Sequence, residues 1–311
     1  MVYILGIDGG GSKTICVLMD DKRQILGRGE AGSSNYQSVG IEAAKYSIES
    51  AISKAIIKKN NLKIDAICLG LAGIGRSRDI ELIKNIVKDI PIIRNIKPQH
   101  IIVSHDALIA LVGGIGNDVG IVVAAGTGSI VFGRNIKGKT KRVGGWGYIL
   151  GDEGGAYKIA VAGMQAALKA YDGREKSTSL IEVFKNHLGL TNIEELIEVV
   201  YRRGWSVKEI AALAPIVDNA AALGDEVANN IIDDAVEELV KATVTVIDEI
   251  FVEGDFFEVV TTGSVWKCKC QMWERFTASI VDKFPEVKVI LPRFEAVYGA
   301  GLLALRSLGE G

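Results

Sequence analysis

The sequence predicts an α/β protein of two domains, each a mixed β-sheet with helices on its faces. The first half alternates short apolar runs with amphipathic stretches, a pattern that is typical of α/β proteins. A second start near Gly120 repeats the opening order of strand, small-residue loop, strand, turn and strand. The 311 residues provide enough chain for two domains that each bury a core.

The elements of the first half follow from hydrophobic periodicity. Apolar runs bounded by polar turns predict strands at 2–7, 15–19, 25–30, 64–71 and 101–103. Apolar residues at helical spacing predict a helix over 40–59 and a shorter one over 79–89. Three opening strands joined by turns, followed by helix and strand, indicate a mixed sheet with helices on its faces.

The second half predicts strands, then helices, then strands again. The strands are expected at 120–125, 130–133, 257–262 and 287–291. Helices dominate from 155 to about 250, with one long helix from Asp225 to Phe251 and a closing helix over 295–308. We expect domains at 1–116 and 117–294, divided in the glycine-rich stretch 113–118, with the closing helix returning to the first domain.

The most informative segment is the glycine loop after the first predicted strand. It contains Asp8, Gly9, Gly10, Gly11, Ser12, Lys13 and Thr14, and a second apolar run follows at once. Backbone N–H groups of such a loop can hold phosphate oxygens, and glycine permits close approach and positive φ. Asp8, at the strand end, is placed to hold Mg²⁺ through water. The loop joins two strands, so it fits neither the Walker A loop nor the dinucleotide motif. The alternative is a plain hairpin turn.

Asp106 ends a second buried strand of the first half. A carboxylate at the carboxyl end of such a strand can accept the proton of a hydroxyl that attacks a phosphoryl group. The alternative is that Asp106 caps the helix that is expected over 107–112. His105 is expected to face the opposite way, because neighbouring residues of a strand alternate between its faces.

Two glycine-rich segments of the second half offer similar chemistry. Gly126 to Ser129 supplies backbone N–H groups and two hydroxyls, which suits phosphate binding or a hairpin turn. The segment 143–156 surrounds Trp146 with glycines and carries Asp152 and Glu153, which are acceptors suited to sugar hydroxyls. Asp152 is also a candidate N-cap for a helix that starts near Gly155.

A further strand, turn and helix are predicted over 259–267. Gly263 and Ser264 form the turn, and the N–H groups of the helix start suit a phosphate or adenosine contact. The alternative is an ordinary strand–helix turn.

Composition excludes several classes of partner. A net charge of −2 and the scattering of Lys and Arg argue against a nucleic-acid partner. The longest apolar runs are far shorter than the ~20 residues of a membrane span, and we expect no membrane association and no secretory leader. Four cysteines (Cys16, Cys68, Cys268 and Cys270) give no disulfide framework, and the lone Cys268-Lys269-Cys270 motif is a weak metal signal. We therefore expect free thiols and a cytoplasmic location.

These segments together resemble a known family. Asp8 to Thr14, Asp106, Gly126 to Ser129, the segment 144–157 and Gly263 to Lys267 occur here in the order typical of the N-acetylglucosamine kinase branch of the BadF/BadG/BcrA/BcrD ATPase family. This branch lies within the sugar kinase–Hsp70–actin superfamily, and the resemblance covers essentially the whole chain. It implies two actin-like (ribonuclease H-like) domains with an interdomain cleft.

The resemblance also implies ATP and Mg²⁺ as cofactors, a small-molecule sugar as substrate and transfer of a phosphoryl group to its 6-hydroxyl. Asp8 would organise Mg²⁺ and Asp106 would be the catalytic base. The implied nucleotide contacts are Gly10, Gly11, Ser12, Lys13, Thr127, Gly263, Ser264 and Lys267. The implied sugar contacts are Asn35, Ser129, Gly145, Trp146, Gly147, Asp152 and Ala156.

One departure bears on the choice of sugar. Ile130 follows Ser129 where animal enzymes of this branch carry asparagine, and microbial relatives with this variant include glucosamine kinases and broader hexokinases. The resemblance therefore implies N-acetylglucosamine first, with glucosamine or several hexoses as alternatives. The sequence leaves open whether the protein forms a homodimer.

Three other functions share parts of these motifs. An ATPase activator of a 2-hydroxyacyl-CoA dehydratase has the same fold and first loop, but needs mid-chain cysteines for an iron–sulfur cluster, and residues 72–267 contain none. An actin- or chaperone-like nucleotide switch has no use for a sugar pocket at Trp146 and Asp152. A sugar-binding regulator would need a DNA-binding appendage, and no helix-turn-helix is evident.

Overall fold

The chain folds into two compact units. The computed structural model describes residues 1–57, 62–74, 77–202, 204–252 and 254–309. The first unit comprises Met1–Val119 and Pro292–Gly311, and the second comprises Gly120–Leu291.

The first unit is built on a five-stranded mixed sheet. Its strands are β1 (Tyr3–Gly9), β2 (Thr14–Asp20), β3 (Ile25–Ala31), β4 (Ala66–Leu71) and β5 (His100–His105). They lie in the order β3-β2-β1-β4-β5. β2 pairs antiparallel with both β1 and β3. On the other side of β1, β4 and β5 extend the sheet in parallel. The central strand β1 therefore carries Asp8 into the middle of the sheet edge.

The second unit repeats this arrangement. Its strands are β6 (Gly120–Ala125), β7 (Ser129–Arg134), β8 (Thr140–Gly144), β9 (Glu258–Thr262) and β10 (Lys288–Ile290). The sheet order is β10-β9-β6-β7-β8, with antiparallel pairing on the β7 side of β6 and parallel pairing on the β9 side. Each strand thus occupies the position of its counterpart in the first sheet.

Helices connect the strands of both sheets. They are α1 (Tyr36–Val39), α2 (Ile41–Ile56), α3 (Ser77–Lys88), α4 (Pro91–Ile96), α5 (Asp106–Ile115), α6 (Ala156–Tyr171), α7 (Leu180–Leu188), α8 (Val207–Ala211), α9 (Ala214–Ala222), α10 (Glu226–Ile250), α11 (Met272–Lys283) and α12 (Ala296–Arg306). Short 3-10 turns lie at Ile193–Glu195 and Val265–Lys267, and a π-helical turn lies at Glu198–Arg202. Among the described residues, no helix combines the length and the apolar character that a membrane span requires.

The sheet of the first unit buries both of its faces. Leu5 and Ile7 of β1 point into a core with Ile52 of α2, whereas Ile4 joins Ile109 of α5 on the opposite face. Side chains of a strand alternate between its faces, so β1 contributes to both cores. An unbroken apolar run such as Ile4 to Ile7 is the expected sequence for a strand in this position.

The helix α12 returns to the first unit and packs very closely. A Cβ atom on Gly6 would lie 2.5 Å from the backbone nitrogen of Gly301, and one on Gly299 would lie 2.1 Å from the carbonyl oxygen of Ile109. Backbone atoms cannot move aside as a side chain can. Glycine at these positions therefore allows α12 to contact β1 and α5 directly.

The structure confirms the predicted fold class and most predicted elements. The predicted helix over 40–59 is α2, which starts one residue after Gly40, and its last predicted residues lie outside the described part of the chain. The predicted helix after Ser264 is wrong, because only the single 3-10 turn Val265–Lys267 forms there and α11 starts at Met272. The helix expected over 107–112 is longer than predicted and runs from Asp106 to Ile115.

The contact between β1 and α12 gives a stability prediction. We expect Gly6→Ala to lower the free energy of unfolding by about 1–3 kcal/mol, because the new methyl group would overlap with backbone atoms of α12. Gly11→Ala is the matched control, since a Cβ there meets no atom within 4 Å. Urea unfolding followed by circular dichroism measures both variants, and equal stabilities would refute this account of the packing.

Candidate nucleotide and sugar site

The loop between β1 and β2 is held at its base and open at its tip. The backbone nitrogen of Gly10 donates to the carbonyl of Lys13 at 2.9 Å, and the Ser33 hydroxyl donates to the carbonyl of Gly10 at 3.1 Å. Gly11, Ser12 and Lys13 are exposed. The exposed tip can therefore offer its N–H groups, the Ser12 hydroxyl and a positive charge to an anion.

The loop glycines do not use the positive φ that glycine permits. None of Gly9, Gly10 and Gly11 has a positive φ. Gly9 is required for another reason, because a Cβ there would lie 2.2 Å from the Ser34 hydroxyl oxygen and 2.3 Å from a methyl carbon of Leu71. Close packing below the loop, rather than backbone conformation, explains this glycine.

Two carboxylates lie beside this loop in the first unit. Asp8 is near the end of β1, and Asp106 is the first residue of α5, directly after β5. Burial, reinforced by the negative charge of Asp106 and opposed by Lys13, raises the pKa of Asp8 to about 6. The two carboxylates therefore interact, as expected for strand ends at one edge of a sheet.

Asp106 does not cap the helix that follows it. His105 is the N-cap, and its Nδ1 accepts from the backbone nitrogen of Leu108 at 3.1 Å. Asp106 Oδ1 accepts from the adjacent Ala107 nitrogen at 2.9 Å. Burial raises the pKa of Asp106, and the hydrogen bond from Ala107 opposes that rise. The capping alternative is thus wrong, and the second carboxylate oxygen of Asp106 has no role in the helix end.

Sequence reasoning missed a third acidic group, Glu295. It precedes α12 as its N-cap residue and forms a bidentate ion pair with Arg28 of β3, at 2.5 and 3.1 Å. Its charge also contributes to the raised pKa of Asp8. No local motif marks Glu295, because only the return of α12 brings it near β1.

Asn35 has a structural role in the first unit. Its side-chain oxygen accepts from the backbone nitrogen of Gln37 and caps the short helix α1. Gly73 packs against the same oxygen, since a Cβ on Gly73 would lie 2.7 Å from it. Asn35 is therefore fixed in orientation, whatever it binds.

In the second unit, the loop after β6 anchors the start of α6. The carbonyl of Gly126 accepts from the Ala156 nitrogen at 2.8 Å, and the carbonyl of Thr127 accepts from the Tyr157 nitrogen at 3.0 Å. These bonds satisfy N–H groups at the helix start. The Thr127 side chain remains exposed, and the Ser129 hydroxyl donates to the carbonyl of Glu153.

Asp152 links this loop to the glycine-rich segment before α6. It has a left-handed backbone, with φ of 63°, and its Oδ1 accepts from the Gly147 nitrogen at 3.2 Å. A Cβ on Gly128 would lie 2.1 Å from Asp152 Oδ2. The predicted capping role is wrong, because Gly155 is the N-cap of α6 and no side chain caps it. Burial raises the pKa of Asp152, while hydrogen bonds from Gly147 and Ser129 act against that rise.

Trp146 lies on the exposed part of the same segment. Its side chain is 65% exposed, and the guanidinium carbon of Arg142 lies 4.2 Å from the ring centroid. This cation–π contact orients an aromatic ring beside Gly145 and Gly147, which both have positive φ. The ring is available for stacking on a ligand. Arg142 was not predicted, because it lies on β8 outside the glycine motif.

Ser264 and Lys267, which follow Gly263, line a cavity of the second unit. A Cβ on Gly263 would lie 2.1 Å from the carbonyl oxygen of Ala125, which requires glycine there. The cavity has a volume of about 400 Å³ and is lined by Ala156, Ser264 and Lys267, together with residues of α8 and α9. Its small side chains, such as Ala211 and Ala212, leave no recognisable motif in the sequence.

The predicted residues thus fall into groups within each unit. Asp8, Asp106 and Lys13 interact electrostatically in the first unit. Ser129, Gly147 and Asp152 are hydrogen-bonded around the start of α6 in the second. Ala156, predicted as a sugar contact, lines the same cavity as Ser264 and Lys267.

Comparisons with known proteins identify the family of the chain. The family model described as the BadF/BadG/BcrA/BcrD ATPase family matches residues 5–304. The chain is 35% identical over 306 residues to the N-acetylmuramic acid/N-acetylglucosamine kinase of Clostridium acetobutylicum, covering 98% of each chain. It is 34% identical to the N-acetyl-D-glucosamine kinase of Dictyostelium discoideum, covering 97% of this chain and 98% of the relative.

A solved structure shows the same fold. A candidate N-acetylglucosamine kinase from Chromobacterium violaceum superposes with a TM-score of 0.76 at 23% identity, over 97% of this chain and 99% of that one. The likeness extends over both units and their mixed sheets.

The raised pKa of Asp8 predicts an unusual effect on stability. A carboxyl whose pKa is 3.8 when unfolded and about 6 when folded destabilises the folded state increasingly as pH rises through that interval. We expect Asp8→Asn to raise the free energy of unfolding by up to about 3 kcal/mol at pH 7.5, and by about 1 kcal/mol at pH 4.5. Thermal unfolding in buffer without metal or nucleotide measures this difference.

The opposite sign is expected at a carboxylate that the fold stabilises. Asp225 caps α10 and also accepts from Ser179 and Thr178, and these hydrogen bonds lower its pKa. Asp225→Asn should therefore lower stability at pH 7.5. If Asp8→Asn also lowered it, the electrostatic assignment at Asp8 would be wrong.

Proposed function

Because the chain belongs to the BadF/BadG/BcrA/BcrD ATPase family, we propose that it is an ATP-dependent kinase of an amino sugar. It transfers the γ-phosphoryl group of ATP to the 6-hydroxyl of N-acetylglucosamine. Two curated relatives that match nearly the full chain carry this activity in their names. The observation that carries the proposal is the buried carboxylate of Asp106, which is placed at the start of α5 and is not used as a helix cap.

Asp106 is the proposed general base. Burial raises the pKa of Asp106 above its ordinary value, and a carboxylate with a raised pKa is a stronger base towards a hydroxyl proton. The sugar hydroxyl would donate its hydrogen bond to Asp106 and lose its proton as the phosphoryl group is transferred. In such reactions positioning and charge stabilisation contribute more than proton transfer, so the loops around Asp106 matter as much as the base.

The first loop is the proposed phosphate contact. Gly11 and Ser12 would donate N–H groups and a hydroxyl to phosphate oxygens, and Lys13 would add a positive charge. Gly10, whose N–H already donates to the carbonyl of Lys13, would let the phosphate approach the loop closely. In the second unit, the exposed Thr127 would make the equivalent contact from the loop after β6. A short hairpin with an exposed tip suits phosphate binding, because N–H groups at the tip do not take part in the hydrogen bonds between strands.

The charge distribution around Asp8 fits a divalent cation. Asp8 and Asp106 place two carboxylates near each other, and Lys13 opposes their charge at Asp8, while the carboxylate of Glu295 is paired with Arg28. Oxygen donors of this kind suit Mg²⁺. Asp8 would hold Mg²⁺, mainly through water, and the ion when bound neutralises charge on the phosphates.

The sugar is proposed to contact the segment before α6. The half-buried carboxylate of Asp152 is held by hydrogen bonds from Gly147 and Ser129 and can accept a further hydrogen bond, while Trp146 presents an aromatic face. Sugars are bound by such combinations of charged acceptors and stacking rings. Gly145, Gly147 and Ser129 would complete this surface, and Asn35 would contribute from the first unit.

The adenosine is proposed to occupy the cavity next to Ser264 and Lys267. A volume of about 400 Å³ lies within the range of small-molecule pockets. Gly263 lets the chain approach β6 closely, and Ala156 and the alanines of α8 leave space at the wall. Ala156 is thus better placed for the nucleotide than for the sugar.

Two observations bear on the range of sugars. The Clostridium acetobutylicum relative is named for N-acetylmuramic acid as well as N-acetylglucosamine. Ile130 packs beneath Gly145, since a Cβ on Gly145 would lie 2.8 Å from its side chain. Glucosamine kinase or broad hexokinase activity therefore remains the alternative. The four cysteines are free thiols, which fits the proposed cytoplasmic location.

A substrate panel tests the proposal. ADP release is measured with ATP, Mg²⁺ and either N-acetylglucosamine, N-acetylmuramic acid, N-acetylmannosamine, glucosamine or glucose, and with no sugar. We expect the largest kcat/KM for an N-acetylated sugar, and phosphorus NMR of the product should place the phosphate on O6. ATP hydrolysis that no sugar stimulates would instead favour an ATPase activator or nucleotide switch.

Loss of the base should slow turnover without preventing binding. We expect Asp106→Asn to fold, because the amide oxygen can still accept from Ala107, and to bind both substrates. Its kcat should fall by about 10²–10⁴-fold, the usual contribution of general base catalysis. Asp89→Asn, at an exposed carboxylate of the same unit, is the control. Turnover of Asp106→Asn within a factor of a few of the wild type would remove Asp106 from the mechanism.

Loss of the Asp152 charge should weaken sugar binding selectively. Asp152→Asn preserves a residue type that tolerates the left-handed backbone, so it separates charge from strain. We expect the KM for sugar to rise about tenfold or more, as for a lost charge-assisted hydrogen bond, with the ATP KM unchanged. Asp172→Asn, at the other end of α6, is the control. An unchanged sugar KM would refute the assignment.

A further inference from the structure

A cluster of two thiols and a carboxylate lies beside the proposed adenosine cavity and has no role in the kinase reaction. Cys268 and Cys270 follow the 3-10 turn Val265–Lys267, and Asp218 comes from α9. Cys268 is half-buried, whereas Cys270 is 3% exposed. The three side chains come from two elements that are about 50 residues apart in sequence, so the fold itself assembles the cluster.

The geometry of the cluster is well defined. The two sulfur atoms lie 3.3 Å apart, and the Sγ of Cys268 accepts from the Met272 nitrogen at 3.3 Å. Asp218 accepts from the backbone nitrogens of Lys269 and Cys270, at 3.0 and 2.8 Å. One donor atom from each of the three side chains lies within 4.8 Å of the others. The backbone bonds hold the carboxylate facing the two thiols.

The charge of the cluster is not balanced by protein cations. Within the described residues, no lysine or arginine forms an ion pair with Asp218. A divalent cation bound by both thiols displaces their protons, and its charge balances the two thiolates and the carboxylate of Asp218.

We propose that Cys268, Cys270 and Asp218 bind a thiophilic divalent cation of the Zn²⁺ class. Two thiolates and one carboxylate are a common donor type for this ion, and a water molecule completes a tetrahedron. Sulfur atoms at ~2.3 Å from a tetrahedral Zn²⁺ lie about 3.8 Å apart, so the pair must open by about 0.5 Å. A change of this size is within reach of side-chain rotation.

The site is accessible from the neighbouring cavity. Cys268 and Asp218 line the same wall as Ser264 and Lys267. An ion can therefore enter without unfolding of α9 or α11. The other two cysteines differ in this respect, because Cys16 and Cys68 are fully buried in β2 and β4.

Metal binding to the purified full chain tests the proposal. The protein is reduced, treated with a chelator and dialysed against Zn²⁺, and bound metal is measured by mass spectrometry. We expect about one Zn²⁺ per chain, and Co²⁺ in its place should give thiolate charge-transfer bands. Cys268→Ser, Cys270→Ser and Asp218→Asn should each weaken binding by about tenfold or more, with folding checked by circular dichroism.

Matched thiol controls make the result decisive. Cys16→Ala and Cys68→Ala remove a thiol elsewhere and should retain one Zn²⁺ per chain. Absence of stoichiometric binding to the reduced wild type would overturn the proposal. So would binding that survives both Cys268→Ser and Cys270→Ser, or a disulfide between these two residues that forms in place of metal binding. No ATP or sugar is needed, so failure here leaves the proposed kinase activity standing.

Discussion

The close approach of α12 to β1 and α5 is the contact on which the proposed catalytic groups depend. Gly6, Gly113, Gly299 and Gly301 each leave no room for a Cβ atom beside a neighbouring backbone or side chain. This packing fixes where β1 ends, where α5 begins and where Glu295 lies. Because Asp8 and Asp106 are attached to these ends, a looser helix contact would separate or rotate them. Precise placement of catalytic groups therefore depends here on backbone contact as much as on side-chain hydrogen bonds.

The packing of α12 places the carboxylate of Asp8 where burial and neighbouring acids destabilise its negative charge. Burial and the neighbouring acids raise the pKa of Asp8, and Lys13 compensates only in part. Without a bound cation the ionised form opposes folding, and a cation would relieve that repulsion. Stability and function thus make opposite demands on one side chain, as is common where sites bind ions. Asp225 shows the usual case, in which hydrogen bonds from the fold stabilise the charge.

Sequence reasoning succeeded where the signal was local and failed where distant segments meet. Apolar runs predicted each described strand except β8, whose sequence from Thr140 to Gly144 is mostly polar. A strand in that position followed only from the repeated order of strands and loops. The His105 cap was not predicted, because Asp is the more usual capping residue at the end of a strand. Only the structure shows that His105, and not Asp106, accepts from the start of the helix. Glu295 and the cavity beside Ser264 were missed because they arise from the return of α12 and the packing of α9. Sequence reasoning predicted Asp152 as a hydrogen-bond acceptor but not its left-handed backbone. Apart from the surrounding glycines, nothing in the sequence marks that conformation.

The two sheets share one strand order, yet their hairpin loops are stabilised differently. The loop after β1 closes on itself through Gly10 and Lys13, is packed beneath by Ser34 and leaves its charged tip free. The loop after β6 is fixed by the start of α6 and by Asp152, so its carbonyl groups are occupied and its shape is rigid. An exposed charged tip suits the binding of anions, whereas a loop held by several hydrogen bonds suits discrimination among sugars by shape. The shared strand order therefore does not imply the same site in each unit. The connection after β8 carries α6 to α10, whereas its counterpart after β3 carries only α1 and α2, and this difference in length changes the surroundings of each loop.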